Sequence, residues 1–360
     1  MVTRKTIVQA LHAVEGIAPG TVKAVAIKDG NVSVTLAVEG DKEARERTRI
    51  EARQAVAGVE GVGAVDVNLI MPTTEEPEKP HAGHGGTGEI PLPNVRNIIA
   101  VGAGKGGVGK STVALNLAMG LMREGYSVGL VDGDIYGPSI AQMAGIEGLP
   151  PEHTPNGKLY PFTAFGEMRV VSIANFVDPN QAMIWRGPMV HGVIRQFLSD
   201  VEWGDLDYLI FDLPPGTGDV PLTLSQSVPV TGAVLVSTPQ SVALDDALRA
   251  ATMYQALGIS LLGFVENMSY FICDGCEKEH DIFGRGGVQR SAEAKGYRFL
   301  GQLPMDPTFR RNTDTANAAD NFREDSPLAQ AITGMVGNLT EAVEERLANE
   351  PAPKVMEVKG

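Results

Sequence analysis

Residues 98–112, IIAVGAGKGGVGKST, decide the fold of this chain of 360 residues. The apolar run at 98–101 is typical of a buried strand, and a glycine-rich turn follows it. Residues 104–111 match G-x-x-x-x-G-K-[ST], and apolar residues then recur at helical spacing from Val113 to Leu121. The strand before the loop and the helix after it are the context that predicts a phosphate-binding P-loop.

This loop carries the groups that hold a nucleoside triphosphate. Its glycines let backbone N–H groups face phosphate oxygens, and the helix N-terminus adds positive potential. Lys110 is expected to bridge the terminal phosphates of ATP, and the Ser111 hydroxyl is expected to hold Mg²⁺. The predicted nucleotide-binding residues of the loop are Gly104, Lys105, Gly106, Gly107, Val108, Gly109, Lys110, Ser111 and Thr112.

Further apolar runs follow the P-loop at 128–132, 168–173, 208–212, 233–238, 261–265 and 299–303. They are continuous rather than alternating, which indicates strands buried on both faces and therefore a mainly parallel sheet wrapped by helices. In such folds ligands bind at the carboxyl ends of the strands. We therefore predict an α/β P-loop NTPase domain over 94–350, followed by a tail at 351–360.

Two of the predicted strands end in carboxylates on this edge. Asp212 is placed like a Walker B acid that organises Mg²⁺ through water, and Asp134 follows another buried strand. Asp132, at the end of that same strand, has the position of a structural residue. The alternative is that these acids only cap their loops.

The region before the P-loop divides in two. Residues 71–93 are rich in Pro and Gly and have no apolar period, so we expect a flexible linker. Residues 1–70 show a helical face, a hairpin over 22–38, a charged helix capped by Asp41 and a third strand at 64–69. This α-β-β-α-β order predicts a small α+β domain, which we interpret as an interaction module.

Charge and hydropathy exclude two classes of partner. Lys and Arg number 30 against 44 Asp and Glu, so the net charge of −14 argues against nucleic acid and acidic lipid surfaces. No apolar run approaches the ~18 residues of a membrane span. We expect a soluble cytoplasmic protein, in which a final helix after Pro327 is an acidic docking helix.

Cys273 and Cys276 are the two cysteines of the chain and form a C-x-x-C pair. Two thiolates cannot complete the four-ligand set of a tetrahedral zinc or a [4Fe-4S] cluster, whereas a two-fold dimer doubles them to four. The alternatives are a structural zinc half-site that includes His280, a thiol–disulfide pair, and an incidental pair.

Several further motifs occur in a fixed order around the K-G-G-x-G-K-S loop. They are DGDIYGPS at 132–139, WRGPM at 185–189, FDLPPGTGD at 211–219, VENMSYF at 265–271 before C-x-x-C, IFG at 282–284 and LPMDP at 303–307. Together these resemble the Mrp/ApbC family of iron-sulfur cluster carrier ATPases, which are SIMIBI-type P-loop NTPases with a deviant Walker A motif. Residues 1–70 resemble the MIP18-like domain often fused ahead of that ATPase in bacteria.

The resemblance implies roles for individual residues. Lys105 would reach the phosphates of the nucleotide held by the partner in a homodimer, and Asp134 would orient the attacking water, so that Lys105, Lys110 and Asp134 form the catalytic set. Adenine would lie beside Asn267 and the backbone near Pro304. The alternatives are a solvated lysine at 105 and a plain turn residue at 267.

The resemblance also implies a cargo and partners. Cys273 and Cys276 of both subunits would hold a [4Fe-4S] cluster, which the protein would transfer to apo iron-sulfur proteins. Cluster assembly factors would be its other partners. Two other functions stay open from the sequence. One is a ParA/MinD-like positioning ATPase, and the other is an ATP-driven electron donor with a bridged cluster.

Overall fold

The structure is a computed structural model that describes most of the chain. The described residues are 4–14, 17, 21–28, 31–38, 42–59, 61–70, 92–176, 187–216, 218–273, 275–276, 278–322 and 326–356. Residues 71–91 of the predicted linker, the Asp41 cap and Arg186 in WRGPM lie outside this set. The chain divides into two compact units, Met1–His81 and Ala82–Gly360.

The N-terminal unit has the predicted order of elements. They are α1 (Arg4–His12), β1 (Val22–Lys28), β2 (Asn31–Ala37), α2 (Lys42–Ala57) and β3 (Val65–Ile70). Strands β1 and β2 form an antiparallel hairpin, and β3 lies parallel to β2. Ile7 and Leu11 of α1 pack with Val34 of β2 and Val56 of α2, all fully buried. The α+β prediction for this region is confirmed.

The C-terminal unit alternates strands and helices. Its first half contains β4 (Val95–Ala103), α3 (Lys110–Arg123), β5 (Val128–Asp132), α4 (Ile140–Met143), β6 (Phe162–Ala164), β7 (Met168–Ser172), α5 (Gly187–Ser199), β8 (Leu206–Asp212) and α6 (Asp219–Ser227). Its second half contains β9 (Gly232–Ser237), α7 (Ser241–Ala256), β10 (Leu261–Glu266), β11 (Phe271–Ile272), β12 (Glu279–His280), α8 (Gly287–Ala294), β13 (Phe299–Gln302), α9 (Pro307–Asp314) and α10 (Pro327–Asn349).

Eight of the ten strands described in this unit build one sheet, in the order β13-β10-β9-β4-β8-β5-β7-β6, while β11 and β12 pair only with each other. All neighbours are parallel except β6, a three-residue edge strand that pairs antiparallel with β7. The P-loop strand β4 lies between β9 and β8. Because β4, β5, β8 and β10 are parallel, the residues that follow them meet along one edge of the sheet.

The sheet is buried on both faces, which explains the continuous apolar runs. In β4, Ile99 and Val101 pack into a core with α3 and α10, while Ile98 and Ala100 pack into a second core on the opposite face. Alternate residues of a strand point to opposite faces, so both sets must be apolar. The predicted α/β fold is confirmed.

Helix α10 differs from the prediction of a docking helix. Its apolar face packs on its own unit, against α3, β10 and β13, and Ile332, Val336 and Leu339 are almost fully buried. Only Leu347 at the end of the predicted stripe is exposed, at 47%. An apolar stripe indicates a buried face but not which surface covers it. In the described part of the chain, no helix has the length and apolar character needed to cross a bilayer.

Candidate nucleotide and metal sites

The P-loop connects β4 to α3 through backbone that requires glycine. Gly109 is the N-cap of α3 and has a left-handed conformation with φ of 80°. A Cβ atom there would overlap the side-chain amide of Asn267, and a Cβ at Gly104 would overlap the backbone of Asp246 and Ala247. The loop therefore packs between the residue after β10 and the second turn of α7, and only glycine fits at these points.

Lys110 is the centre of a buried charge cluster. Its Nζ lies 2.6 Å from Oδ1 of Asp212, 3.2 Å from the Ser111 hydroxyl and 3.4 Å from Oδ2 of Asp134. The side chain of Lys110 is 6% exposed and that of Asp212 is fully buried. The structure thus brings together three predicted residues: the P-loop lysine, Asp212 at the end of β8, and Asp134, which follows β5.

Burial controls the electrostatics of this cluster. It raises the pKa of Asp212, an effect that the Lys110 ammonium opposes. Burial and the neighbouring Asp212 raise the pKa of Asp132 to about 7. Among the described residues, Oδ1 of Asp134 and Oδ2 of Asp212 are buried oxygens with no hydrogen-bond partner. These oxygens are available to a ligand beside Lys110.

Asp132 organises the loop that carries Asp134. Its Oδ1 accepts from the backbone N–H of Asp134 at 3.2 Å, and its Oδ2 accepts from the N–H of Ile140 at 3.0 Å and from the Ser172 hydroxyl at 2.8 Å. These contacts fix both ends of the 134–140 segment to the sheet. They agree with the structural position expected for Asp132.

A cavity of about 410 Å³ opens above Lys110. It is lined by residues of the P-loop, of the 134–139 loop and of the loop after β8: Lys105, Gly106, Gly107, Gly109, Lys110, Ser111, Thr112, Asp134, Tyr136, Gly137, Ser139 and Pro215. Its position at the N-terminus of α3 suits phosphate groups. Lys105 also lines this cavity, which we call the phosphate cavity, and its contact with a nucleotide stays a prediction.

A second cavity of about 350 Å³ adjoins the first and shares Gly109 and Thr112 with it. It is lined by residues that follow β10 and β13 and by the start of α9: Asn267, Met268, Phe271, Pro304, Met305, Asp306, Pro307, Phe309, Arg310, Thr313 and Asp314. Most of these side chains are apolar, which suits a planar base. Asn267 and Pro304 both line this space, which we call the base cavity, and adenine binding beside them stays a prediction.

The Asn267 side chain already has one partner. Its Nδ2 donates to the Val108 carbonyl at 2.9 Å, while its backbone N–H donates to the Ser237 carbonyl at 2.8 Å. Asn267 therefore supports the P-loop as well as lining the base cavity. An amide NH₂ carries two hydrogens, so one remains for a ligand.

The cysteines lie on a hairpin that leaves the sheet after the base cavity. Strands β11 and β12 pair antiparallel with Phe271 opposite His280, and the Cys273 N–H donates to the Lys278 carbonyl at 3.0 Å. Cys273 is half-buried and Cys276 is exposed. The two sulfurs and a ring nitrogen of His280 all lie within 4.8 Å of one another.

Glu266 fastens both ends of this hairpin to the sheet. Its Oε1 accepts from the Ser269 hydroxyl and from the Gly286 N–H, and its Oε2 accepts from the Val288 N–H at 2.8 Å. Ser269 precedes the hairpin, while Gly286 and Val288 follow it. The buried carboxylate thus holds the position from which the cysteines project.

Comparison with known proteins identifies the family. The ParA profile described as "NUBPL iron-transfer P-loop NTPase" matches residues 94–340. The chain belongs to this family of P-loop NTPases. It has the P-loop NTPase fold of this family, whose description names iron transfer. The predicted resemblance to the Mrp/ApbC carriers is confirmed.

Curated relatives carry the name "Iron-sulfur cluster carrier protein". The one from Deinococcus radiodurans is 48% identical over 259 residues, which cover 72% of this chain and 73% of the relative. That from Synechocystis is 42% identical, covering 87% and 88%, and that from Helicobacter pylori is 36% identical, covering 96% and 92%. The MIP18-like resemblance of residues 1–70 stays a prediction.

Solved structures agree with this fold. The nucleotide-binding protein from Archaeoglobus fulgidus, determined in complex with ADP, is 37% identical with a TM-score of 0.57, covering 66% of this chain and 91% of that one. The cell division ATPase MinD from Pyrococcus furiosus gives a TM-score of 0.51 at 23% identity, covering 68% and 98%. The second likeness concerns the fold alone.

Several residues that line these cavities were not predicted as site residues from the sequence. Phe271, Met305 and Phe309 line the base cavity, and Tyr136 lines the phosphate cavity. One signal was available: Asp306 followed by Pro307 is a typical helix start, and Asp306 does cap α9. That signal places a helix N-terminus beside the base cavity. Tyr136, Phe271 and Met305 also lie inside the motifs quoted at 132–139, 265–271 and 303–307, which gave these side chains no role, whereas Phe309 lies outside them.

Proposed function

We propose that this protein hydrolyses ATP and carries a [4Fe-4S] cluster between the subunits of a homodimer, for delivery to apo iron-sulfur proteins. One observation carries the proposal. The hairpin that exposes Cys273 and Cys276 begins at Phe271, a residue that also lines the base cavity of an iron-transfer NTPase. Cluster ligands and nucleotide therefore share one short segment of chain.

ATP binding is supported by the two adjoining cavities. The triphosphate would lie against the P-loop, where Lys110 and the N-terminus of α3 offer positive charge. The base would lie in the apolar cavity with its polar edge toward Asn267. The remaining amide hydrogen of Asn267 would donate to N7 of adenine, and its oxygen would accept from N6.

The residues beside Lys110 fit a Mg²⁺ ion. The Ser111 hydroxyl and the unpartnered carboxylate oxygens of Asp134 and Asp212 are hard oxygen donors grouped around one ammonium. Bound Mg²⁺ would neutralise phosphate charge. Asp134 would hold the attacking water, and Lys110 would stabilise the charge that develops on the transferred phosphoryl group.

Lys105 would complete the site across the dimer. It lies at the mouth of the phosphate cavity, next to the exposed Gly106 and Gly107. A second chain placed over this mouth would bring its own Lys105 to the bound phosphates. We infer that hydrolysis needs this cation in trans, in the manner of an arginine finger.

Cluster binding would use the same two-fold contact. A [4Fe-4S] cluster takes four thiolates, and each chain has two cysteines. An isologous dimer places the same hairpin from both chains at one axis. Cysteines kept as thiols also fit a protein of the cytoplasm, where assembly factors would load the cluster.

Anaerobic reconstitution tests this function. We expect about four iron and four sulfide per dimer by chemical analysis and size-exclusion chromatography, and transfer of the cluster to an apo-acceptor. Cys273→Ala and Cys276→Ala should each abolish the cluster but leave ATP binding intact. A metal-free, reduced wild type that takes up no iron on anaerobic reconstitution would rule out the carrier function.

A further inference from the structure

Cys273, Cys276 and His280 form a group of metal ligands within a single chain. Their two sulfurs and one ring nitrogen lie within 4.8 Å of one another. A cluster bridged by two chains uses the thiolates and leaves His280 without a role. The position of this imidazole therefore requires its own explanation.

The pairing of β11 with β12 places His280 beside Cys273. Phe271 is directly opposite His280, and Cys273 follows Phe271 by two residues, so both project from the same face of the hairpin. The imidazole lies against the Phe271 ring, with 6.5 Å between ring centroids. The turn after Cys273 brings Cys276 back toward the same point.

The strand that carries His280 is braced by its surroundings. Glu279 pairs with Arg285, and the Arg285 guanidinium stacks 4.1 Å above the ring of Tyr270, which precedes β11. Arg285 also donates to Gln302 of β13 at 3.1 Å. These contacts link both sides of the hairpin, so His280 is held near the thiols before a ligand arrives.

We propose that Cys273, Cys276 and His280 of one chain bind a single Zn²⁺ ion, with water in the fourth position. The proposal concerns the cysteines of the proposed cluster site but requires neither the cluster nor the dimer. Tetrahedral zinc, with Zn–S of about 2.3 Å and Zn–N of about 2.0 Å, needs ligand atoms roughly 3.5 to 3.8 Å apart. The observed group reaches this spacing with shifts of about 1 Å in exposed side chains.

The chemistry of the three ligands selects this type of ion. Two thiolates and a neutral imidazole balance a divalent charge, and this ligand set suits zinc and other soft first-row ions rather than Mg²⁺ or Ca²⁺. The half-buried Cys273 and the exposed Cys276 and His280 leave the ion open to exchange. The site is therefore built for a labile ion.

Zinc and the cluster would exclude each other, because both need the same two sulfurs. A chain that holds Zn²⁺ cannot offer Cys273 and Cys276 to a bridged cluster. By mass action, tighter Zn²⁺ binding leaves fewer chains able to take a cluster, so the Zn²⁺ affinity that His280 adds shifts the equilibrium toward the single ion. Its loss would weaken only the single-ion state.

Cobalt titration of the full-length, metal-free, reduced protein tests the site, with Co²⁺ as the spectroscopic probe for Zn²⁺. We expect one Co²⁺ per chain in both the monomer and the dimer, with tetrahedral d–d bands and thiolate-to-cobalt charge transfer. Loss of a side chain that only hydrogen-bonds to a metal ligand already costs up to about 100-fold in metal affinity, so loss of the ligand itself in His280→Ala should cost at least that much. One Co²⁺ per two chains, or unchanged affinity in His280→Ala, would refute the proposal.

Two variants separate ligation from damage to the hairpin. Lys278→Ala removes an exposed side chain of the same hairpin and should bind Co²⁺ like wild type. His280→Cys should regain tight binding and show a third thiolate in its charge-transfer intensity. Weak binding by His280→Cys, or an equal loss in Lys278→Ala, would contradict a ligand role for His280.

Iron distinguishes this proposal from the carrier function. His280→Ala should still assemble about four iron per dimer, as wild type does, because the cluster takes only thiolates. Preloaded Zn²⁺ should block cluster assembly in wild type and much less in His280→Ala. Equal blocking in both would count against the zinc site, whereas absence of iron in both with intact cobalt binding would count against the carrier function alone.

Discussion

The Nζ of Lys110 lies 2.6 Å from Oδ1 of Asp212, a carboxylate with no exposed surface. The same ammonium is 3.4 Å from Asp134. Transfer of these charges from water is costly, and their mutual attraction offsets the cost only while each partner is present. These contacts therefore hold the Lys110 ammonium at the base of the phosphate cavity, where a bound triphosphate would compete with the two carboxylates for it.

Replacement of Lys110 by Met should abolish ATP turnover, because it removes the ammonium between the terminal phosphates. It should also lower the free energy of unfolding by about 3 kcal/mol, since Asp212 stays buried without its counter-ion. Lys110→Met combined with Asp212→Asn should recover most of this loss. Urea unfolding of the four proteins in the double-mutant cycle measures the coupling.

Turnover near the wild-type rate in Lys110→Met would overturn the P-loop assignment. A double variant whose loss equals the sum of the single losses would show that the two side chains are not energetically coupled.

Loss of Lys105 should slow hydrolysis far more than it weakens nucleotide binding, because the proposed contact acts on the transition state in the partner's site. Lys105→Ala is expected to lose about 1,000-fold or more in kcat, the size of effect that an arginine finger supplied in trans has. A mixture of Lys105→Ala with Asp134→Ala should regain activity, since one site of the mixed dimer combines both intact groups.

Lys295→Ala, which removes an exposed lysine at the end of α8, serves as the charge control and should keep full activity. If the mixture is no more active than either variant alone, Lys105 does not act in the nucleotide site of the partner subunit.

The sheet was predictable because its central strands are apolar on both faces. In β4, Ile98 and Ile99 face different cores, and a strand that is buried on both faces is apolar at every position. Strand β6, with three residues, is too short to show a period. The two-residue strands β11 and β12 are shorter still. The sequence could therefore suggest His280 as a metal ligand only from its position four residues after Cys276, and not from the hairpin that brings them together.

The apolar face of α10 could be predicted from the sequence, but the surface that covers it could not. Leu339 and Val343 mark a buried stripe, but a stripe that packs on the chain's own sheet has the same sequence pattern as one that docks a partner. Asn267 shows a third limit, because its bond to the Val108 carbonyl joins residues 159 positions apart. Only the folded chain reveals such contacts.

Asp132 should make the stability of the nucleotide-free protein depend on pH. Its pKa is raised to about 7 in the folded chain, above the ordinary value of 3.8, so between pH 4 and 7 the folded state binds more protons than the unfolded state. The free energy of unfolding should therefore fall as the pH rises through this window, by up to about 1.4 kcal/mol per pH unit from this group.

Urea unfolding of wild type and Asp132→Asn at pH 4.5, 5.5 and 6.5, values chosen to span roughly that window, measures this slope. The variant should show a shallower fall, whatever its absolute stability, while Asp205→Asn at an exposed acid should keep the wild-type slope. Parallel slopes in all three proteins would show that Asp132 does not take up the proton.

Phe271 should transmit the nucleotide state to the cluster. Its ring lines the base cavity, and its backbone belongs to β11, two residues before Cys273 and opposite His280. Met305, also at the cavity, donates its N–H to the Tyr270 carbonyl at 2.6 Å. A base that entered the cavity would therefore contact the strand that positions Cys273, the first of the two proposed cluster ligands.

Phe271→Ala should assemble a normal cluster and bind ATP with a modest loss, yet the rate of cluster transfer should respond much less to ATP than in wild type. The measurement is transfer to an apo-acceptor with and without ATP, on dimers matched by size-exclusion chromatography. Phe283→Ala, which truncates a phenyl group outside both cavities on the same segment, is the matched control and should keep the ATP response. If Phe271→Ala transfers its cluster with the full ATP response, the nucleotide signal reaches the cysteines by another route, and Glu266, which ties both ends of the hairpin to β10, is the next residue to test.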